Sequence, residues 1–151
     1  MNKDQKIQIK FQKCHSRAEM PVRQTQGAAG YDIKACLENP VQINPGERMA
    51  IGTGIRVDIP KGFVLSVRPR SGLAIQHGIT MINSPGTIDS DFRGEIKILM
   101  INLGSESFTI NHGDRIAQIL LEKCHEVDWR EVDELENTER GSNGFGSTGR
   151  Q

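Results

Sequence analysis

Residues 96–103 read IKILMINL, and this stretch decides the fold class. Ile96, Ile98 and Met100 alternate with Leu99, Ile101 and Leu103. A repeat of two is the side-chain period of a strand, because successive Cβ atoms leave opposite faces. The same period recurs in Ile7, Ile9 and Phe11, in Ile55, Val57 and Ile59, and in Val64 and Ser66 set against Leu65 and Val67. Between these segments stand NPGE at 44–47, PKG at 60–62, NSPG at 83–86 and NHGD at 111–114. Such Gly/Pro/Asn clusters at short intervals separate short antiparallel strands. One brief helix is predicted over SGLAIQHG, Ser71 to Gly78, closed by glycine. Many strands with almost no helix imply a sandwich, a jelly roll or a barrel, whose edges invite assembly with further copies.

The chain has 151 residues, enough for one domain with its own core. Nineteen basic residues balance nineteen acidic ones, so the overall field offers nothing to nucleic acid or to an anionic membrane. Any bound anion must be met locally. The start, MNKDQKIQIK, has no apolar signal-peptide core and no run approaches the length of a membrane span, so a cytoplasmic location is expected. Cys14, Cys36 and Cys124 are odd in number and widely spaced, which suits a reducing compartment. Cys14-His15 and Cys124-His125 invite a zinc reading, but adjacent strand residues point to opposite faces and cannot both turn toward one ion.

From EVDWREVDELENTE onward carboxylates dominate and apolar residues thin out. The expected division is a β domain over residues 1–130 and an extended arm over 131–151. The arm ends in RGSNGFGSTGRQ at 140–151. Its glycines match both G-x-G-x-x-G and the outer spacing of a P-loop, yet both signatures need a helix after the glycines, and only two residues follow Gly149. A solubilising end is the bland reading of such a run. Phe145 argues for a closing arm instead, since a flat apolar ring stacks on a base.

Four further segments are unusual for plain strand and turn: AAGYDIKA at 28–35, PRSGLA at 69–74, NSPGTIDSDFRGEI at 83–96 and GDRIAQ at 113–118. In PRSG, a cation, a hydroxyl and a glycine amide stand together at the mouth of the helix, which makes either an anion site or an arginine paired to a surface carboxylate. GTIDSDFRG is either a strand or hairpin arm with Asp89 and Asp91 on one side and Phe92 on the other, or a polar turn between strands. Asp32 reads equally as a turn carboxylate, Asp91 as a solvated one and Lys97 as an exposed strand lysine.

In this order, and with the glycine tail, the five segments closely resemble the motifs of the trimeric dUTPase (dUTP pyrophosphatase) family over residues 28–149. The resemblance implies an all-β, jelly-roll-like distorted barrel of short antiparallel strands, with one short helix and an extended C-terminal arm. It implies hydrolysis of dUTP to dUMP and pyrophosphate, with Asp89 as the general base for water attack on the α-phosphorus. Arg70, Ser71, Gly72 and Gln118 would hold phosphates. Asn83, Gly86, Thr87 and Ile88 would read uracil, Phe92 would lie beneath the deoxyribose, and Lys97 would contact substrate. Asp32 would anchor magnesium (Mg2+) through water. Arg140 would meet the terminal phosphate, Phe145 would cover uracil, and Gly146, Ser147 and Thr148 would close over the phosphates. A homotrimer with active sites shared between chains is implied as well. The family most often has tyrosine at the position of Phe92; packing under the sugar needs no phenol, so only a hydrogen bond is lost. A dCTP deaminase of the same fold and a non-catalytic nucleotide-sensing module are the rival readings. GTIDSDFRG and the intact tail favour hydrolysis.

Overall fold

The computed structural model describes residues 6–144. Among them are eleven strands and one helix: β1 (Lys10–Lys13), β2 (Tyr31–Lys34), β3 (Val41–Ile43), β4 (Arg48–Gly52), β5 (Ile55–Asp58), β6 (Phe63–Arg68), α1 (Ser71–His77), β7 (Ile79–Met81), β8 (Gly86–Ile88), β9 (Lys97–Asn102), β10 (Phe108–Ile110) and β11 (Arg115–Lys123). Every pairing is antiparallel. The sheets run β2-β11-β6-β8, β4-β9-β7, β1-β5 and β10-β3, so most neighbours are distant in sequence and the chain crosses repeatedly between layers. The result is the expected jelly-roll-like all-β fold.

The core is built on isoleucine. Ile33, Ile43, Ile51, Ile55, Ile79, Ile96, Ile98, Ile110 and Ile116 are all buried, together with Met100. Branching at Cβ makes these side chains stiff and suited to a pleated, half-buried surface. Each contributes about 1.5–3 kcal/mol by leaving water. IKILMINL divides as its period requires: Ile96, Ile98 and Met100 face inward, while Leu99 and Leu103 stay exposed on the outer face.

The polar exception in that strand is Asn102, which is fully buried. Its Nδ2 donates to the carbonyls of Ile43 (2.9 Å) and Glu106 (2.7 Å), and its Oδ1 accepts the Gly104 N–H at 2.8 Å. Its backbone also bonds to Glu47 and Gly46 in the NPGE turn. One amide thus ties the end of β9 to β3 and to the loop that leads into β10.

The expected turns fall between strands, except that Gly86 of NSPG is the first residue of β8, and α1 ends on Gly78 in the left-handed conformation (φ 68°). One expectation is corrected. β1 begins only at Lys10, so Ile7 and Ile9 precede the strand; Ile7 is exposed and Ile9 packs on the core from outside regular pairing. Of the two readings of Asp89–Phe92 the turn holds, closed by the Phe92 N–H on the Asp89 carbonyl at 3.2 Å. β8 stops at Ile88, paired with Leu65, although β6 itself continues to Phe63. After Lys123 the chain carries no regular element as far as residue 144.

Asn102→Ala would leave three backbone groups without their partners inside the protein. A loss on the order of 3 kcal/mol is expected, read as a lowered denaturation midpoint in urea.

Candidate active site

The residues singled out in the sequence fall into two groups on opposite sides of β6. The first lies where β6 runs into Pro69 and α1. Gln118 on β11 is the register partner of both Arg68 on β6 and Asp32 on β2. Its Nε2 donates to the Pro69 carbonyl at 3.2 Å. Arg70 is half-buried and donates from Nη1 to the Arg115 carbonyl at 2.7 Å, which holds its guanidinium beside the same strand. Arg115 in turn pairs with Asp32 Oδ2 at 3.0 Å. Asp32 therefore stands on a strand with its carboxylate shielded, not in a turn.

Helix α1 adds donors to this end. Arg70 precedes the helix with extended backbone and no side chain caps it. The first internal bond is from the Ala74 N–H to the Arg70 carbonyl, so the amides of Ser71, Gly72 and Leu73 have no partner within the helix. Ser71 and Gly72 are exposed. Cationic Arg70, the Gln118 amide, the Ser71 hydroxyl and these N–H groups form a donor-rich end suited to phosphate oxygens.

The second group surrounds β8. Thr87 and Ile88 pair with Ser66 and Leu65 of β6, and Gly86 pairs with Val67. Asn83 lies in the preceding turn, and Asp89, exposed, opens the following one. Phe92 is 41% exposed, and its ring lies over Gly94: Cζ comes within 2.5 Å of where a Gly94 Cβ would stand. Lys97 is placed in another sheet, exposed at the start of β9 opposite Gly52. Arg140 donates from Nε to the Asn143 carbonyl at 2.9 Å. Phe145, Gly146, Ser147 and Thr148 lie outside the described residues.

Gly86 comes within one register step of the Gln118 pairing, but the Ile88 end of the second group does not meet Gln118 within one chain. Gln118 pairs with Arg68, whereas Ile88 pairs with Leu65 on the other side of β6. That offset amounts to about 10 Å along the strand and about 10 Å across it.

The sequence reading missed Arg115 as the partner of Asp32, and it assigned nothing to Arg93 or Gly30. Arg93 donates to two carbonyls of the Asp89 turn and pairs with Asp58 on β5. Gly30 lets Gln118 lie flat against the backbone, since a Cβ there would stand 2.6 Å from Gln118 Oε1. Contacts of this kind join residues distant in sequence and leave no local pattern.

Near this site the Lys34 ammonium, 2.5 Å from Glu19, lowers the Glu19 pKa below the usual carboxyl value. Burial raises the Cys36 thiol, while Cys14 and Cys124 are exposed.

A donor-rich strand end and an exposed carboxylate turn on a jelly-roll-like fold are features that a nucleotide-hydrolysing enzyme would need. The dUTPase family model matches residues 16–149. The deoxyuridine 5'-triphosphate nucleotidohydrolase of Treponema denticola is 52% identical over 139 residues, covering 92% of this chain and 96% of the relative. Among solved structures, the dUTPase of Staphylococcus bacteriophage 80alpha with dUpNHpp superposes with a TM-score of 0.85 at 27% identity, covering 94% of this chain and 98% of that one. A mutant dUTPase of phage phi11 of S. aureus, solved for the coordination of a structural Mg(II) ion, shares the fold with a TM-score of 0.78 at 24% identity over 87% of this chain and all of that one. The chain belongs to the dUTPase family.

Gly30→Ala should push the Gln118 amide off its seat while leaving the backbone unstrained. If Gln118 contacts phosphate, KM should rise about tenfold, the loss of roughly one hydrogen bond to a charged group, with the thermal midpoint unchanged.

Proposed function

We propose that the chain hydrolyses dUTP to dUMP and pyrophosphate, removing a precursor of uracil in DNA and supplying dUMP for dTMP synthesis. The observation that carries this reading is the convergence of Arg70, Gln118 and the unpaired α1 amides beside Asp32, opposite an exposed Asp89. The donors at one end bind and orient the triphosphate. Ser71 steadies charge on the bridging oxygen as it leaves. Asp89 takes the proton of the attacking water. Asn83 and the backbone of Gly86, Thr87 and Ile88 read the uracil edge, and Phe92 offers a flat apolar surface to the deoxyribose, where a ribose hydroxyl would lose its water without gaining a partner.

Mg2+ fits this donor set. The described residues hold no cluster of three or more His, Cys, Asp or Glu side chains able to cage an ion, and Asp32 gives Oδ2 to Arg115. A carboxylate with its second oxygen outside that pair suits an ion held chiefly by phosphates and reached through water. When bound, the ion neutralises triphosphate charge and fixes its geometry.

Ser71 and Asp89 must flank one phosphorus, yet within a single chain Gln118 and Ile88, the strand residues beside them, lie on opposite sides of β6 and three residues apart in register. Active sites shared between chains of a homotrimer resolve this. Two surfaces support assembly: the outer face of β4-β9-β7 presents Leu99, Leu103 and Ile82, and the arm from residue 131 follows Trp129, which is 90% exposed. Apolar groups left in water on that scale mark contact surfaces. The arm then delivers Arg140 and the segment Phe145 to Thr148 as a lid over a neighbour's nucleotide. No helix among the described residues is long and apolar enough to cross a membrane.

Asp89→Asn should bind dUTP normally but release pyrophosphate about a thousandfold more slowly, as expected for a lost general base. Ammonia instead of pyrophosphate from a deoxynucleotide would point to a deaminase, and neither product to a binding module. A chain ending at Thr138 should sediment as an intact trimer with turnover reduced on the order of a hundredfold.

A further inference from the structure

Asp89 stands at the end of β8 on a turn that the backbone closes with one bond, from the Phe92 N–H to the Asp89 carbonyl. Ser90 is half-buried and Asp91 exposed, so packing does little to fix the turn. Arg93 supplies what packing does not. Its Nη1 donates to the carbonyls of Ser90 at 2.7 Å and Phe92 at 3.0 Å, and its Nη2 donates to Asp58 Oδ1 at 2.8 Å. Asp58 closes β5, a strand whose Ile55 and Val57 are buried, and its Oδ2 lies 3.5 Å from Lys10 on β1. The guanidinium thus bridges the turn to a strand anchored in the core.

We propose that Arg93, held by Asp58, is a positioning residue for Asp89: it braces the turn so that the carboxylate is aimed before substrate arrives. The inference rests on Asp89 being the general base. A planar guanidinium meets two carbonyls and a carboxylate at once, a geometry that an ammonium cannot copy. Both partners are about half exposed, so the brace serves aim more than stability. Misplacing a reacting group by about 1 Å costs up to a hundredfold in rate.

The test compares Arg93→Ala, Arg93→Lys, Asp58→Ala and the double alanine variant with Asp89→Asn, measuring kcat and KM for dUTP and the thermal midpoint of each. Arg93→Ala should lower kcat about ten- to a hundredfold with KM and the midpoint little changed. Lysine should restore only a minor part. Asp58→Ala should act in the same direction, and the double variant should be no worse than Arg93→Ala, because the two residues act as one unit. A rise in KM at constant kcat would make Arg93 a substrate contact, and a fall in activity matched by a fall in the midpoint would make it merely structural; either overturns the proposal. Wild-type kinetics in Arg93→Ala beside an inactive Asp89→Asn would remove the brace and leave the base. Normal turnover in Asp89→Asn would remove both.

Discussion

The pairing of β6 with two strands at once is the constraint on which the site depends. β11 runs along one side of it through Gln118↔Arg68 to Lys123↔Phe63, and β8 lies on the other through Leu65↔Ile88 to Val67↔Gly86. Ser66 and its neighbours Leu65 and Val67 are all buried, since the strand is covered on both faces. A strand so enclosed cannot slip, because a shift of one residue would invert every side chain. Within one chain the spacing between the donor-rich strand end and the Asp89 turn is therefore set by hydrogen-bond register, the least compliant ruler a protein has.

The two ends are built by different means. At the donor end, ladder pairing places Gln118 beside Asp32, and Arg115 and Arg70 lock to it through a carboxylate and a carbonyl. At the other end the backbone leaves its sheet after Ile88, and side-chain bonds from Arg93 take over. Phosphate binding tolerates several donors sharing the load, whereas proton transfer depends on the placement of one oxygen, so a brace has most effect at the carboxylate end.

Much of this was legible in the sequence. IKILMINL and its fellow alternating runs carry the period of a pleated strand, and glycine in SGLAIQHG marks the helix end because αL backbone favours it. The five segments carried the family and most of the residues gathered around β6 and β8. What the sequence hid were relations between distant residues: Asn102 with Ile43, Arg115 with Asp32, Arg93 with Asp58, and Gly30 beneath Gln118. At Asp89–Phe92 the polar-turn reading holds over the strand or hairpin arm, because the chain turns after Ile88 although residue types there still alternate. Ile7 and Ile9 misled, since period two records which side a residue faces and not whether a neighbouring strand is present.

The separate placement of Ser71, on the helix after β6, and Asp89, on the turn after β8, also bears on how damage would propagate through a population of mixed chains. In an assembly that builds each site from several copies, a lesion at one end of a chain spoils a site to which other copies contribute, and leaves that chain's opposite end serviceable. Two alleles broken at different ends could then rescue one another when co-expressed, while two broken at the same end could not.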